Sequence, residues 1–255
     1  MLPSDPEQTA PTLNVQRISL WLALFFGALM LGAFVAFPGF FPPMSPRMSA
    51  DQVAAFYREH QAAIRFSMIT FNFCGVMLMP LFMVIVYQMK RMATPTQVFA
   101  YSYLSAVVSG VTLFALADLF WLIAAFRPER DPHLVLLLND LAWITFVAPV
   151  GMVIGQNLCL ALGIFFDAHE EPIFPRWVGV VSVVTAVAMA PSAAAAAVQT
   201  GPLAWNGAVS FWLRIAAYAV FLGVMFYTAR AAVAREERDA LASLEEPLVS
   251  VGASA

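Results

Sequence analysis

With 255 residues, 61% hydrophobic and only 11% charged, and a mean hydropathy of +0.78, this chain cannot cover its surface in water; soluble domains carry about 25% charged residues. The net charge of −3 supplies no basic field, and no Lys/Arg cluster forms a stripe, so nucleic acid is excluded as a partner. One membrane domain is the economical count.

Residues 1–16, with Pro3, Pro6 and Pro11, read as a flexible cytoplasmic leader. The first span runs from about Arg17 to Phe37. About 20 apolar residues cross the hydrocarbon. The run lacks a small-x-small cleavage site and a basic leader, so it reads as a retained helix and not a signal peptide. Ala28, Gly32 and Ala36 recur every fourth residue, which lets a neighbouring backbone approach closely.

A proline-rich loop, Pro38 to Pro46, follows. Ser49 with Gln52 makes a capping box. It opens an amphipathic helix over about residues 49–62, with Val53, Phe56, Tyr57 and Ile64 on one face and Asp51, Arg58, Glu59 and Gln61 around the other side. This helix is expected on the outer membrane surface, leading into a second span of about Ala63 to Tyr87. Pro80 predicts a kink there, and Lys90 and Arg91 close it. The third span covers about Val98 to Phe126. Its Ser102, Ser105, Ser109 and Thr112 form one ridge, read as a helix contact opposite Asp118.

After the charged joint Arg127 to Pro132, the run Leu134 to Phe166 is too long for one straight span. Its first part is expected at the interface or buried in protein, with the spanning part starting near Trp143. A polar joint, Asp167 to Pro172, leads to a fifth span that starts after Pro175, contains Pro191 and ends near Gln199. Gly201-Pro202 makes the turn. The sixth span runs from about Asn206 to Ala229 and continues in water past Arg235; the tail, residues 236–255, is expected to be partly disordered. The predicted fold is therefore all-α: a polytopic six-transmembrane-helix bundle over residues 17–235, with an outer interfacial amphipathic helix.

Arg17, Lys90, Arg91, Arg176, Arg230, Arg235 and Arg238 fall on the side of the termini, against Arg47, Arg58, Arg127 and Arg130 opposite. The bias points both termini to the cytoplasm.

Ionisable side chains within lipid are costly and default to functional candidates. Arg214 lies about 6 Å outward of the middle of the sixth span, and Asp118 about 10 Å outward in the third. Arg65 sits at the outer mouth of the second span, and Asn139 and Asp140 precede the spanning part of the fourth. The gathering suggests a polar pocket open to the outer side, with Arg214–Asp118 and Arg65–Asp140 as the expected ion pairs. Such pairs serve equally as locks between helices. Arg65, Met68, Asn72, Gly75, Met79 and Met83 form a stripe on the second span; a Met-rich wall under an arginine suits an amphiphile, and equally a packed bundle face. Gln156, Asn157 and Asn72 lie near mid-depth, as interhelical glue or as the lining of a polar path.

No cofactor or metal is indicated. Cys74 and Cys159 sit in apolar runs without close Cys or His partners and read as small hydrophobes. His60, His133 and His169 fall in joints, so no histidine pair could ligate a membrane haem. No lysine lies inside a span for a retinal Schiff base, and no acid–base–nucleophile spacing supports a hydrolase.

The segments Ser49 to Tyr57, Phe126 to Arg130, Asn139 to Trp143, Phe174 to Trp177 and Gly201 to Gly207 together resemble a set of uncharacterised multi-pass membrane proteins of actinobacteria and some proteobacteria. The resemblance implies a bacterial plasma membrane and carries no activity. The leading expectation is a protein in the lipid bilayer that binds or transports a small amphiphilic or lipidic molecule through an outer-leaflet pocket. The alternative is a non-catalytic structural or accessory subunit with a membrane-protein partner; a membrane-embedded enzyme comes third.

Overall fold

The computed structural model describes residues 6–127 and 129–252, with side chains from 12 to 242. It is all-α, and six stretches are long and apolar enough to cross a membrane: Thr12–Ala36, Gln61–Arg91, Val98–Phe126, Pro132–Phe165, Arg176–Ala196 and Ala208–Ala242. The chain is a polytopic helical bundle.

Among the described residues eight α-helices, with one 3₁₀ and one π segment, build these spans, and a ninth lies between the first two. The first span is α1 (Pro6–Ala36). The helix thus begins before the expected leader ends; residues 1–5 of that leader lie outside the described residues. Its Ala28, Gly32 and Ala36 are exposed, so no neighbour among the described residues covers their close-approach face. The amphipathic helix is α2 (Ala50–Glu59), and the capping box is present: Ser49 Oγ accepts from Gln52 N at 3.3 Å, and Gln52 Oε1 accepts from Ser49 N at 2.8 Å. Its buried face, Val53, Ala54 and Tyr57, rests on protein, chiefly on the helix that holds Asn139.

The second span is α3 (Gln61–Val76) and α4 (Met79–Arg91), broken where Pro80 predicts it. The third is α5 (Val98–Phe126). Its hydroxyl ridge faces outward: Ser105, Ser109 and Thr112 are exposed, and each donates to the carbonyl four residues earlier. Among the described residues no helix covers these three hydroxyls, which satisfy themselves on their own backbone.

The fourth span is α6 (Pro132–Val147) and α7 (Gly151–Phe165). The break falls at Pro149, not ahead of Trp143, because a proline removes a helical hydrogen bond and clashes with the preceding turn. Asp131 caps α6 by accepting from His133 N and Leu134 N. The fifth span is α8 (Arg176–Met189), which tightens into a 3₁₀ turn over Ala190–Ala196 at Pro191. The sixth opens as a π-helix over Ala208–Leu213 and becomes α9 (Arg214–Gly252). The tail expected to be partly disordered is thus helical to Gly252, and residues 253–255 lie outside the described residues.

Two apolar layers fill the bundle. At the end away from the termini, Phe37, Phe40, Trp121, Trp143, Trp205 and Phe211 pack as one aromatic cluster. Trp121 and Trp143 meet edge-to-face at 5.4 Å, and Trp143 stacks on Trp205 at 6.1 Å. Trp205 Nε1 donates to Met44 O at 2.8 Å, so the first and fifth joints close this end together. At the terminal end Glu236 of α9 accepts from Gln16 of α1 at 3.2 Å and Gln88 of α4 at 2.9 Å, and pairs with Arg91 at 3.0 Å. Arg17 pairs with Glu237 beside it.

One joint at that end is held by a single carboxylate. Asp167, fully buried, accepts from the backbone N–H groups of Ala93, His169 and Ile173 at 3.0, 3.2 and 3.0 Å, and lies 2.7 Å from His169 Nδ1. Burial alone would raise its pKa; the three N–H donors and the His169 ring outweigh that and hold it below the ordinary carboxylate value.

Candidate functional site

Four of the six spans are irregular, and three of the irregularities fall at a proline. Pro80, Pro149 and Pro191 lack an N–H, so the carbonyls of Val76, Thr145 and Val187 lose their usual helical donor. In the sixth span the π segment shifts the register, and Ser192 Oγ donates to the Ser210 carbonyl at 3.2 Å. Broken helices in lipid are tolerated where they are buried in protein or line a cavity.

All four breaks meet one cavity of about 290 Å³. Leu78 lies at the α3–α4 break, Pro149 and Val150 at the α6–α7 break, Met189 at the end of α8 and Arg214 at the start of α9, and all five line it. Met30 and Phe34 of α1 and Val107, Gly110 and Phe114 of α5 complete the wall, so all six spans contribute. The lining residues fall near the middle of spans two, three and four; the cavity is at mid-span and not at the outer mouth.

The walls are mostly apolar, with a few polar groups. Arg214 Nη1 donates to the Phe146 carbonyl at 3.0 Å, in the last turn of α6, where the helix dipole favours a cation. The guanidinium carbon stands 4.5 Å from the centroid of the Phe146 ring, a cation–π contact. Its Nε has no hydrogen-bond partner, and no carboxylate among the described residues forms an ion pair with it. Gln156 reaches the cavity from α7 and donates Nε2 to the Tyr103 hydroxyl at 3.2 Å. Tyr218, one turn past Arg214, and Thr145 also line it.

The two expected ion pairs do not form. Asp118 is buried at 1% exposure, as a site residue should be, but lies off the cavity wall, one turn before Trp121, and its Oδ2 has no partner. Arg65 Nη2 donates to the Phe126 carbonyl at 2.8 Å and closes the C-terminus of α5 instead of meeting Asp140. Asp140 Oδ1 is buried without a partner. Asn139 accepts from the Tyr57 hydroxyl at 3.1 Å and so moors α2 to α6. Burial, and then the nearby Asp140 charge, push the Tyr57 hydroxyl pKa up, so it stays a donor.

The mid-depth amides divide. Asn72 donates to the Ala115 carbonyl at 3.1 Å, joining α3 to α5; Asn157 donates to Val153 O at 2.8 Å within its own helix; only Gln156 reaches the cavity. Of the expected methionine stripe only Gly75 lines the cavity. Met68 is buried in the aromatic cluster, and Met79 and Met83 pack on the terminal-side core. The methionines that do line the cavity are Met30, Met152 and Met189, from three different spans. Sequence reasoning missed these, and also Phe146 and Tyr218. The available signal was Pro149 beside Gly151 in the middle of an apolar run, which marks a broken helix.

No known protein family, no curated protein and no solved structure matches this chain.

Proposed function

We propose that this protein binds a small amphiphilic or lipidic molecule in the central cavity and carries it within, or across, the bacterial plasma membrane. Both termini are assigned to the cytoplasm, on the arginine bias of the joints. The observation that carries the reading is the convergence of four helix breaks on one mostly apolar cavity with Arg214 and Gln156 in its wall. Helix interruptions at mid-membrane are how transporter folds expose backbone to a bound solute. Apolar walls with a few convergent polar groups are the usual make-up of small-molecule sites.

Native mass spectrometry of the detergent-extracted protein tests this. A retained amphiphile is expected for the natural sequence and lost in Gly110→Phe, which sends a ring into the cavity from a wall with room for a Cβ. A natural protein that carries no such mass, and binds none when amphiphiles are added, defeats the proposal.

The alternative, an accessory subunit with a membrane-protein partner, is favoured by one observation: the hydroxyl ridge of α5, Ser105, Ser109 and Thr112, is exposed and suits close helix packing. A stoichiometric partner in an affinity pull-down would support it.

A further inference from the structure

We infer that the ligand is a single-chain amphiphile with one negative charge, a carboxylate seated against the free edge of Arg214. This rests on the reading of the cavity as an amphiphile site and narrows it to a class. A guanidinium has five N–H donors in a planar fork. Arg214 uses Nη1 on the Phe146 carbonyl, which with the ring beneath fixes the plane of the fork. Nη2 makes no hydrogen bond to the described residues, and Arg214 lines the cavity. A carboxylate placed there gains a charge-assisted hydrogen bond from the guanidinium.

Charge selects the class. A cation half-buried in an apolar wall and lacking a counter-ion has lost part of its hydration, and an arriving anion recovers part of that cost. The arrangement supplies one cation and no carboxylate paired with it. A monoanion balances it; a dianion would leave one charge uncompensated, and a cationic amphiphile would meet like charge. Tyr218, one turn from Arg214 and also in the wall, has its hydroxyl beside Gln156, which adds a second polar point to the cavity. Size agrees. A volume of about 290 Å³ stands at the lower end of small-molecule pockets, about 300–1,000 Å³, the scale of one medium-length chain. Met30, Met152 and Met189 give that chain adaptable apolar walls.

The test uses the full chain in nanodiscs of zwitterionic lipid, with empty nanodiscs as the partition background. Equilibrium binding is measured for decanoate, methyl decanoate, decanol and decyltrimethylammonium. Decanoate is expected to bind at least about tenfold tighter than its ester or the alcohol, with the ammonium weakest. Arg214→Gln should bring decanoate down to the level of decanol and leave decanol unchanged, while Arg214→Lys keeps part of the preference. Equal binding of decanoate and its ester to the natural protein overturns the anionic assignment and leaves the amphiphile cavity standing; that comparison needs no variant to fold. Absence of saturable binding by any of the four overturns the cavity reading itself.

Discussion

Arg214 and Phe146 are joined twice: Nη1 donates to the carbonyl at 3.0 Å, and the guanidinium carbon stands 4.5 Å from the ring centroid. A charge expected to need a carboxylate is held by the end of a broken helix and an aromatic face. Arg65 likewise donates to the Phe126 carbonyl, and Arg176 donates to the carbonyls of Ile164, Phe165 and Asp167. In each case the terminal carbonyls of a helix lack intrahelical donors, and a guanidinium completes them.

It follows that Arg214 and Asp118 act independently on stability. In a double-mutant cycle with Arg214→Gln and Asp118→Asn, read by thermal unfolding in detergent, the coupling should stay below about 0.5 kcal/mol. A buried ion pair would instead make each single change cost about 3–5 kcal/mol and let the double variant recover.

The turn between spans five and six depends on two glycines. Gly201 has a φ of 79°, which other residues rarely adopt, and a Cβ on Gly207 would stand 2.3 Å from the Pro202 carbonyl oxygen. Backbone cannot move aside as a side-chain tip does. Gly207→Ala should cost about 1–3 kcal/mol and lower the melting temperature. Gly155→Ala, inside α7 with nothing within 4 Å of its Cβ, should not lower it.

Asp167→Asn should destabilise the joint by about 1–3 kcal/mol at neutral pH, since three backbone N–H donors lose a charged acceptor. The sign with pH follows from the lowered pKa of Asp167 in the fold. A depressed carboxylate adds stability above its unfolded pKa, about 3.9, and loses it as pH falls through the folded value. The gap between natural protein and variant should therefore persist from neutral pH to about pH 4 and shrink below it. A gap independent of pH in chemical unfolding curves would contradict this.

Tyr57→Phe removes the hydroxyl that Asn139 accepts from and leaves a buried amide oxygen short of its donor. The cost should be about 1–3 kcal/mol, concentrated on α2. Limited proteolysis reads it directly: cleavage after Arg58 should be faster in the variant, while the membrane spans stay protected.

Much of the architecture was legible because lipid leaves few options. A backbone in hydrocarbon must satisfy itself, so each apolar run of sufficient length becomes a helix, and six runs gave six spans. The capping box at Ser49 and the break at Pro80 are local chemistry and were equally readable. The partners of the charges were not. Asp118 was expected to pair with Arg214 and Arg65 with Asp140, but nothing in a linear pattern shows that Phe126 and Phe146 end helices just where a guanidinium arrives. The Met stripe failed for the same reason. Residues on one face of one helix reached different layers once α3 and α4 broke apart at Met77 and Leu78.

By itself the order of residues determined that the chain is a multi-pass helical protein with a Ser49-capped amphipathic helix, because solvent and local hydrogen bonding act on neighbours along the chain. Only the tertiary structure decided that Leu78, Pro149, Met189 and Arg214 surround one cavity, because those four residues are separated by up to 136 positions and meet through packing alone.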